Sequence, residues 1–292
     1  MSTERLCASC GHPNRSIDTY CTNCAALLPP APPDAGVDGQ APAEPAIPWR
    51  AREGLLLFPA HVLLAAVAII PVILLAGPPP PGCLVSDGVT AAGVVITELM
   101  LLGVTLGWVK LRYRLGPRSL GLRRFTFSNV GIGVGLGIAG ILAASIVSAA
   151  VLTVAEMLSG APVEQPEQIP VCAESPSAAI LVLLGIGIVL LAPIAEESFF
   201  RGFLYPGLRR WARVGTAILV SAVVFGAAHV DIGNPLAGSS FLLVPPILTL
   251  GALLAALVEW RRSIVPAILA HVTFNAFGFT IGFLIPAITA AS

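Results

Sequence analysis

Ala178-Ala-Ile-Leu-Val-Leu-Leu-Gly-Ile-Gly-Ile-Val-Leu-Leu-Ala-Pro-Ile-Ala-Glu196-Glu197-Ser-Phe-Phe-Arg201-Gly202 begins as an apolar run of membrane-spanning length and ends with two adjacent carboxylates and an arginine. In hydrocarbon an ionisable side chain costs several kcal/mol unless it is paired or hydrated. Glu196, Glu197 and Arg201 therefore mark a functional site within a membrane.

Composition extends this reading to the whole chain. Hydrophobic residues make up 56% and charged residues 11%, where soluble domains carry roughly 25% charged residues. Apolar stretches long enough to span ~30 Å of hydrocarbon lie near 55–76, 89–109, 130–155, 178–200, 214–230, 241–258 and 264–288. The pattern predicts an all-α polytopic membrane protein with about seven transmembrane helices. Nothing in the charge pattern indicates a nucleic-acid partner.

Basic residues set the expected orientation. Arg50 and Arg52, the run Lys110, Arg112, Arg114, Arg118, Arg123 and Arg124, then Arg209, Arg210 and Arg213, and finally Arg261 and Arg262 all fall on one side when helices are counted. The opposite loops, 77–88, 156–177 and 231–240, contain no Lys or Arg. By the positive-inside rule the N-terminus is expected in the cytoplasm, with the chain in a cell (plasma) membrane. The first 50 residues are polar and show no signal peptide, so the first helix is expected to act as its own insertion signal.

Those residues read as a separate module. Cys7-Ala-Ser-Cys10-Gly11 and Cys21-Thr-Asn-Cys24 are paired CxxC knuckles, whose four thiolates can close tetrahedrally around one structural Zn²⁺. Residues 1–28 resemble the short zinc ribbons of many microbial proteins, and so small a segment needs the metal to fold. A disulfide framework would need an oxidising compartment, against the expected cytoplasmic location. His12 reads as a bystander beside four cysteines. Residues 29–50, rich in Pro and Ala, read as a disordered linker, and 51–292 as the membrane domain. The ribbon could serve a cytoplasmic partner. Cys83 and Cys172 lie in the outer loops, either bonded to each other or unpaired.

Several features have plain explanations. Gly135-Leu-Gly137-Ile-Ala-Gly140 matches a dinucleotide fingerprint, yet no strand precedes it. Glycines 131, 133, 135, 137 and 140 instead allow close helix approach. Leu120-Gly-Leu-Arg-Arg-Phe reads as an interfacial stretch. Glu98 and His61 lie within the first two helices, and a structural role is the favoured reading for both.

Polar residues in the later helices complete the site. Glu197 and Arg201 are four apart and can pair on one helix face, while Glu196 points about 100° away. Phe225-Gly-Ala-Ala-His229 and His271-Val-Thr-Phe-Asn275 lie in helices 5 and 7. A lone intramembrane His or Asn usually bridges helices; here they occur together.

In order, Glu196-Glu197-x-x-x-Arg201, Phe225-x-x-x-His229 and His271-x-x-x-Asn275 resemble the three motifs of the CPBP family of intramembrane proteases. That family includes the Rce1-type CaaX prenyl endopeptidases and proteins linked to bacteriocin processing and self-immunity. The motif-bearing resemblance covers roughly residues 178–280. It implies a membrane endopeptidase acting on a peptide or protein substrate. Glu196 and His229 would activate a water, Glu197 would hold Arg201, and His271 and Asn275 would donate to the developing oxyanion. Ser198 has no base at helical spacing and reads as incidental.

Glu196, His229 and His271 could alternatively compose a His₂Glu zinc set. No HExxH occurs, and the glutamate mechanism without a catalytic metal is favoured. A non-proteolytic scaffold or immunity-type binding protein is the alternative function. Inverted repeats expected of a transporter are absent from the sequence.

Overall fold

The computed structural model describes residues 4–15, 21–24, 26, 28, 47–81, 83–123, 125–163, 169, 172, 176–230 and 240–291. Contacts divide the chain into two units, Met1–Trp49 and Arg50–Ser292. The linker expected over 29–50 falls, up to residue 46, outside the described residues.

In the N-terminal unit, strand β1 (Glu4–Leu6) pairs antiparallel with β2 (Pro13–Arg15), Leu6 opposite Pro13. The turn between them is a cysteine knuckle. Gly11 N–H donates to Cys7 O at 2.8 Å, and Gly11 has φ 70°, a left-handed conformation that glycine adopts without a Cβ clash.

The membrane unit contains α1 (Ala51–Ala76), α2 (Asp87–Tyr113), α3 (Phe127–Ser159), α4 (Ala178–Arg209), α5 (Val214–Ala227), α6 (Val244–Arg261) and α7 (Val265–Thr289). Each expected apolar stretch corresponds to one of them. Six are long and apolar enough to cross a membrane, whereas α5, with 14 residues, is shorter. The protein is a multi-pass membrane protein, mostly helical.

Its surface and interior have the polarity that lipid demands. Leu63, Leu74 and Leu142 face outward, where acyl chains replace water. Arg201, Tyr205, Phe199, Phe200, Phe203 and Phe225 are almost wholly enclosed. Acyl chains are as apolar as leucine, so helices associate through close packing and polar contacts instead of water exclusion. Gly133 and Gly137 show this on α3: a Cβ on Gly133 would stand 2.6 Å from Leu269 Cβ, and one on Gly137 2.6 Å from Ala270 O of α7. Gly131 and Gly135, expected to share the role, meet nothing within 4 Å, because they lie on the other side of the helix.

Three tethers position the helices. Glu53, in the first turn of α1, accepts from Arg50 N–H at 2.9 Å, from Trp108 Nε1 at 2.9 Å and from the Tyr113 hydroxyl at 2.5 Å, tying α1 to the end of α2. The chain after α2 makes a tight turn at Pro117–Leu120 that lies against Gly202, where a Cβ would stand 2.7 Å from Leu120 O. Ile264 N–H donates to Gly121 O at 3.1 Å, joining the start of α7 to the same loop. Cys83 and Cys172, left open by the sequence, are disulfide-bonded with Cα atoms 5.9 Å apart, and the Asp87 carboxylate accepts from Cys172 N–H at 2.5 Å.

Within α4, wide i→i+5 turns run over Ile186–Leu191 and Glu197–Leu204, on either side of Ala192–Glu196. Such turns interrupt the 3.6-residue register and occur frequently at functional sites.

Candidate active site

The apolar packing of α4 against α6 and α7 encloses one ion pair completely. Arg201 Nη1 lies 2.9 Å from Glu197 Oε1, and neither side chain is accessible. Arg201 Nη2 also donates to Gly251 O of α6 at 3.0 Å, and the guanidinium lies 4.2 Å from the Phe225 ring centroid. Gly251 permits this approach, since a Cβ there would stand 3.4 Å from Nη2. Glu197 Oε1 is shared, because His271 Nδ1 lies 3.0 Å from it. The Arg201 pairing matches the i,i+4 expectation; the His271 contact joins residues 74 apart and has no signature in local spacing.

Glu196, one residue earlier, faces a different environment. Its carboxylate is 12% accessible, with Oε1 4.0 Å from His229 Nε2 and Oε2 3.8 Å from His271 Nε2. These separations exceed hydrogen-bond length. One water can bridge either gap.

Both imidazoles are held from behind. The expected helical placement of His229 is corrected here: α5 ends at Ala227, and His229 sits in the turn beyond. Its backbone N–H goes to Gly226 O at 3.2 Å, a tightening of the last turn that releases the Phe225 carbonyl. Phe225 O is instead 2.8 Å from His229 Nδ1. A carbonyl can only accept, so Nδ1 carries the proton and Nε2 presents a lone pair toward Glu196. His271 is tethered through Nδ1 to Glu197, again turning Nε2 toward Glu196. Two imidazole nitrogens and a carboxylate converging in this manner can activate water directly or hold a Lewis acid that does so.

Asn275, one turn from His271, donates Nδ2–H to Ile188 O of α4 at 2.8 Å. The carbonyl lies in the first wide turn of α4. An amide nitrogen has two donors, so one contact leaves the other available. Ser198 Oγ is buried without a hydrogen-bond partner. Sequence reasoning quoted Phe225 as part of the motif it shares with His229 but gave its ring no role, and it did not single out Gly251, which acts through backbone approach and has no residue-type signal.

In the N-terminal unit, the four sulfurs of Cys7, Cys10, Cys21 and Cys24 lie within 4.8 Å of one another, a group that could bind a metal. Cys7 Sγ is 3.6 Å from Cys24 Sγ, and Cys10 Sγ is 3.5 Å from Cys21 Sγ. Asn14 braces the second knuckle: Oδ1 accepts from Thr22 N–H at 2.8 Å, and Nδ2 donates to His12 O at 2.7 Å. His12 thus supports the loop through its carbonyl. Burial opposes ionisation of the Cys21 thiol, but the backbone N–H groups of Cys24 and Asn23, with Cys10 and Asn14, bring its pKa down to about 6. Cys24 goes the other way: although the Ala26 backbone contact lowers it, the neighbouring Cys10, burial, Cys7 and Cys21 push it up to about 12. Thiolates this close repel one another, and a cation would remove the conflict.

Residues 178–277 match the family model described as Type II CAAX prenyl endopeptidase Rce1-like. No curated protein matches the chain, and no solved structure does. Glu196, Glu197, Arg201, His229, His271 and Asn275 all lie inside the matched segment, which runs from α4 to the middle of α7 and leaves the cysteine cluster outside.

Proposed function

We propose, from the Rce1-like CAAX prenyl endopeptidase character of residues 178–277, that this chain hydrolyses a peptide bond within the membrane using water activated by Glu196 and His229. The observation that carries this reading is the contrast between neighbouring carboxylates: Glu197 is sealed with Arg201, while Glu196 is partly accessible and stands 4.0 Å from a His229 nitrogen whose tautomer is set.

In the first step a water bridging Glu196 and His229 gives its proton to Glu196 as its oxygen bonds to the substrate carbonyl carbon. The carbonyl π electrons move to oxygen, and the resulting oxyanion is met by Asn275 and His271. Donation from His271 Nε2 requires the ring to carry both protons, with Glu197, 3.0 Å from Nδ1, as its counter-charge. The C–N bond then breaks, and the proton held by Glu196 goes to the leaving nitrogen, yielding a carboxylic acid and an amine. No acyl-enzyme forms. Glu197 and Arg201 hold α4 against α6 and α7.

The cysteine group suits Zn²⁺. With Zn–S near 2.3 Å, a tetrahedron has edges of about 3.8 Å, close to the two spacings of 3.6 and 3.5 Å. Residues 1–28 would then be a structural zinc ribbon, 29–50 a linker and 51–292 the protease domain. Cys83–Cys172 supports an orientation with the N-terminus in the cytoplasm of a plasma-membrane protein. A disulfide favours the oxidising side and thiolate metal ligands the reducing one, and an odd number of helices separates either bonded cysteine from the ribbon.

The test uses the full-length protein with Cys7, Cys10, Cys21 and Cys24 replaced by serine, so that metal content reports on the membrane unit alone. Peptide cleavage should survive exhaustive chelation. Glu196→Gln should lower kcat by roughly 10²- to 10⁴-fold, and Asn275→Ala by about 10²- to 10³-fold. Cleavage lost on chelation and restored by Zn²⁺ would overturn the metal-free mechanism. Full turnover in folded Glu196→Gln would overturn the assignment of the base.

A further inference from the structure

Contacts between helix ends gather the basic residues at one end of the membrane unit. Glu53 ties the start of α1 to Trp108 and Tyr113 of α2, and a Cβ on Gly207 of α4 would stand 2.7 Å from Ala51 N. Tyr205 and Arg209 of α4 reach Glu259 of α6 at 2.9 and 3.3 Å. Ile264 N–H donates to Gly121 O, and Arg261 Nη2 donates to Asn129 Oδ1 of α3 at 3.1 Å. Segments 50–53, 108–129, 205–214 and 259–264, joined in this way, hold thirteen of the sixteen Lys and Arg residues and two carboxylates, Glu53 and Glu259. Both carboxylates are engaged, Glu53 by Trp108 and Tyr113, and Glu259 by Tyr205, Arg209 and Arg262.

Arg261 is built into a helix seam without being neutralised. It is half-buried, and the Asn129 that holds it is 7% exposed, its own backbone N–H donating to Thr126 Oγ1 at 3.2 Å. Among the described residues no carboxylate pairs with Arg261, and one amide oxygen uses only part of a guanidinium's five N–H donors. The residues flanking this contact turn large rings outward: Phe127 is 98% exposed, Phe125 66% and Trp260 64%, with the Arg261 guanidinium 5.3 Å from the Trp260 ring centroid. Rings and arginines occur together in this way at the headgroup level of a bilayer, where one side of a ring meets acyl chain and the cation meets phosphate.

We infer that the seam between the start of α3 and the end of α6 binds the headgroup of an anionic phospholipid. The Arg261 guanidinium takes the phosphodiester in a forked pair, Asn129 holds that guanidinium in place, and Phe127 and Trp260 lie along the glycerol and upper acyl chains. The positive charge of this end favours a headgroup of net negative charge over a zwitterionic one. An acidic soluble protein would satisfy the arginine but leave the outward rings without an apolar neighbour.

The test places the full-length protein in bilayers of equal parts phosphatidylcholine and phosphatidylglycerol and measures, with spin-labelled lipids, which is retained at the protein surface. Wild type should prefer phosphatidylglycerol. Arg261→Gln should lower that preference about fivefold, the scale of one basic residue at an anionic surface, whereas Arg213→Gln, at an exposed arginine before α5, should change it by less than about twofold. Equal retention of the two lipids by wild type, or equal losses in Arg261→Gln and Arg213→Gln, would overturn the site, the second because a diffuse field treats the two arginines alike. A measurement on wild type alone covers the case in which Arg261→Gln fails to fold. A phosphatidylglycerol with a photoreactive headgroup should label residues 125–129 and 260–263, and excess phosphatidylglycerol should suppress the label while phosphatidylcholine does not. Labelling confined to other segments, or suppression by inorganic phosphate alone, would overturn the assignment to a lipid.

Discussion

Four cysteines between positions 7 and 24 gather their sulfurs within 4.8 Å of one another. In the membrane unit, Glu196, Glu197, Arg201, His229 and His271 converge from α4, from the turn after α5, and from α7, with contacts of 2.9 to 4.0 Å. Both regions concentrate groups that repel when charged alike. The thiol cluster lies outside the transmembrane helices on two short knuckles, and a cation taken from solution can neutralise it. In the carboxylate cluster the sealed glutamate, Glu197, carries its own counter-ion in Arg201. A site that must fold locally can depend on a captured metal; a site inside hydrocarbon is safest when the neutralising charge is encoded in the chain.

Removing the neutralising charge from each cluster is the most direct way to break this comparison. Chelation, or Cys21→Ser, should unfold the N-terminal unit, because metal binding supplies roughly 10 to 16 kcal/mol of apparent folding free energy in ribbons of this kind. Loss of amide chemical-shift dispersion confined to residues 4–28, with the thermal transition of the membrane unit unchanged, is the expected result. A ribbon that keeps its dispersion without metal would contradict it. In the membrane unit, Arg201→Met leaves Glu197 buried without its cation and should cost about 3 to 5 kcal/mol, seen as a lowered unfolding midpoint in detergent. Pairing it with Glu197→Gln should recover much of the loss. Equal destabilisation of the single and double variants would show that Arg201 acts through packing alone.

The smallest effect sharpens the division of labour on α4. Ser198 lies beside both glutamates, 1% exposed, with its hydroxyl unpartnered. Ser198→Ala removes an unsatisfied polar atom, which is close to neutral for stability, and should leave cleavage within about twofold. A loss of the size expected for Glu196→Gln would make the serine a participant in the chemistry.

Much of the fold was legible because membrane insertion is a one-dimensional problem. Mean apolarity over about 20 residues decides whether a segment crosses, and the seven expected stretches correspond to α1 through α7. The CxxC spacing was equally informative, since a knuckle closes within its own five residues. Local spacing also carried the Glu197–Arg201 pair. It did not carry His229, whose residue type was noticed but whose position beyond the end of α5 depends on where the helix unwinds. Nor did it show that His271 reaches Glu197, because the two are 74 residues apart and meet only through the packing of α7 on α4.

The sequence by itself determined the spans, the two cysteine knuckles and the set of polar residues placed in hydrocarbon, because each depends on composition or spacing within a few turns of chain. Tertiary structure alone decided which carboxylate is sealed and which is accessible, and which nitrogen of each imidazole faces the site. Those outcomes depend on wide turns in α4, on glycines that let backbones approach, and on hydrogen bonds between distant segments; such interactions acquire their energy only when the helices are packed together.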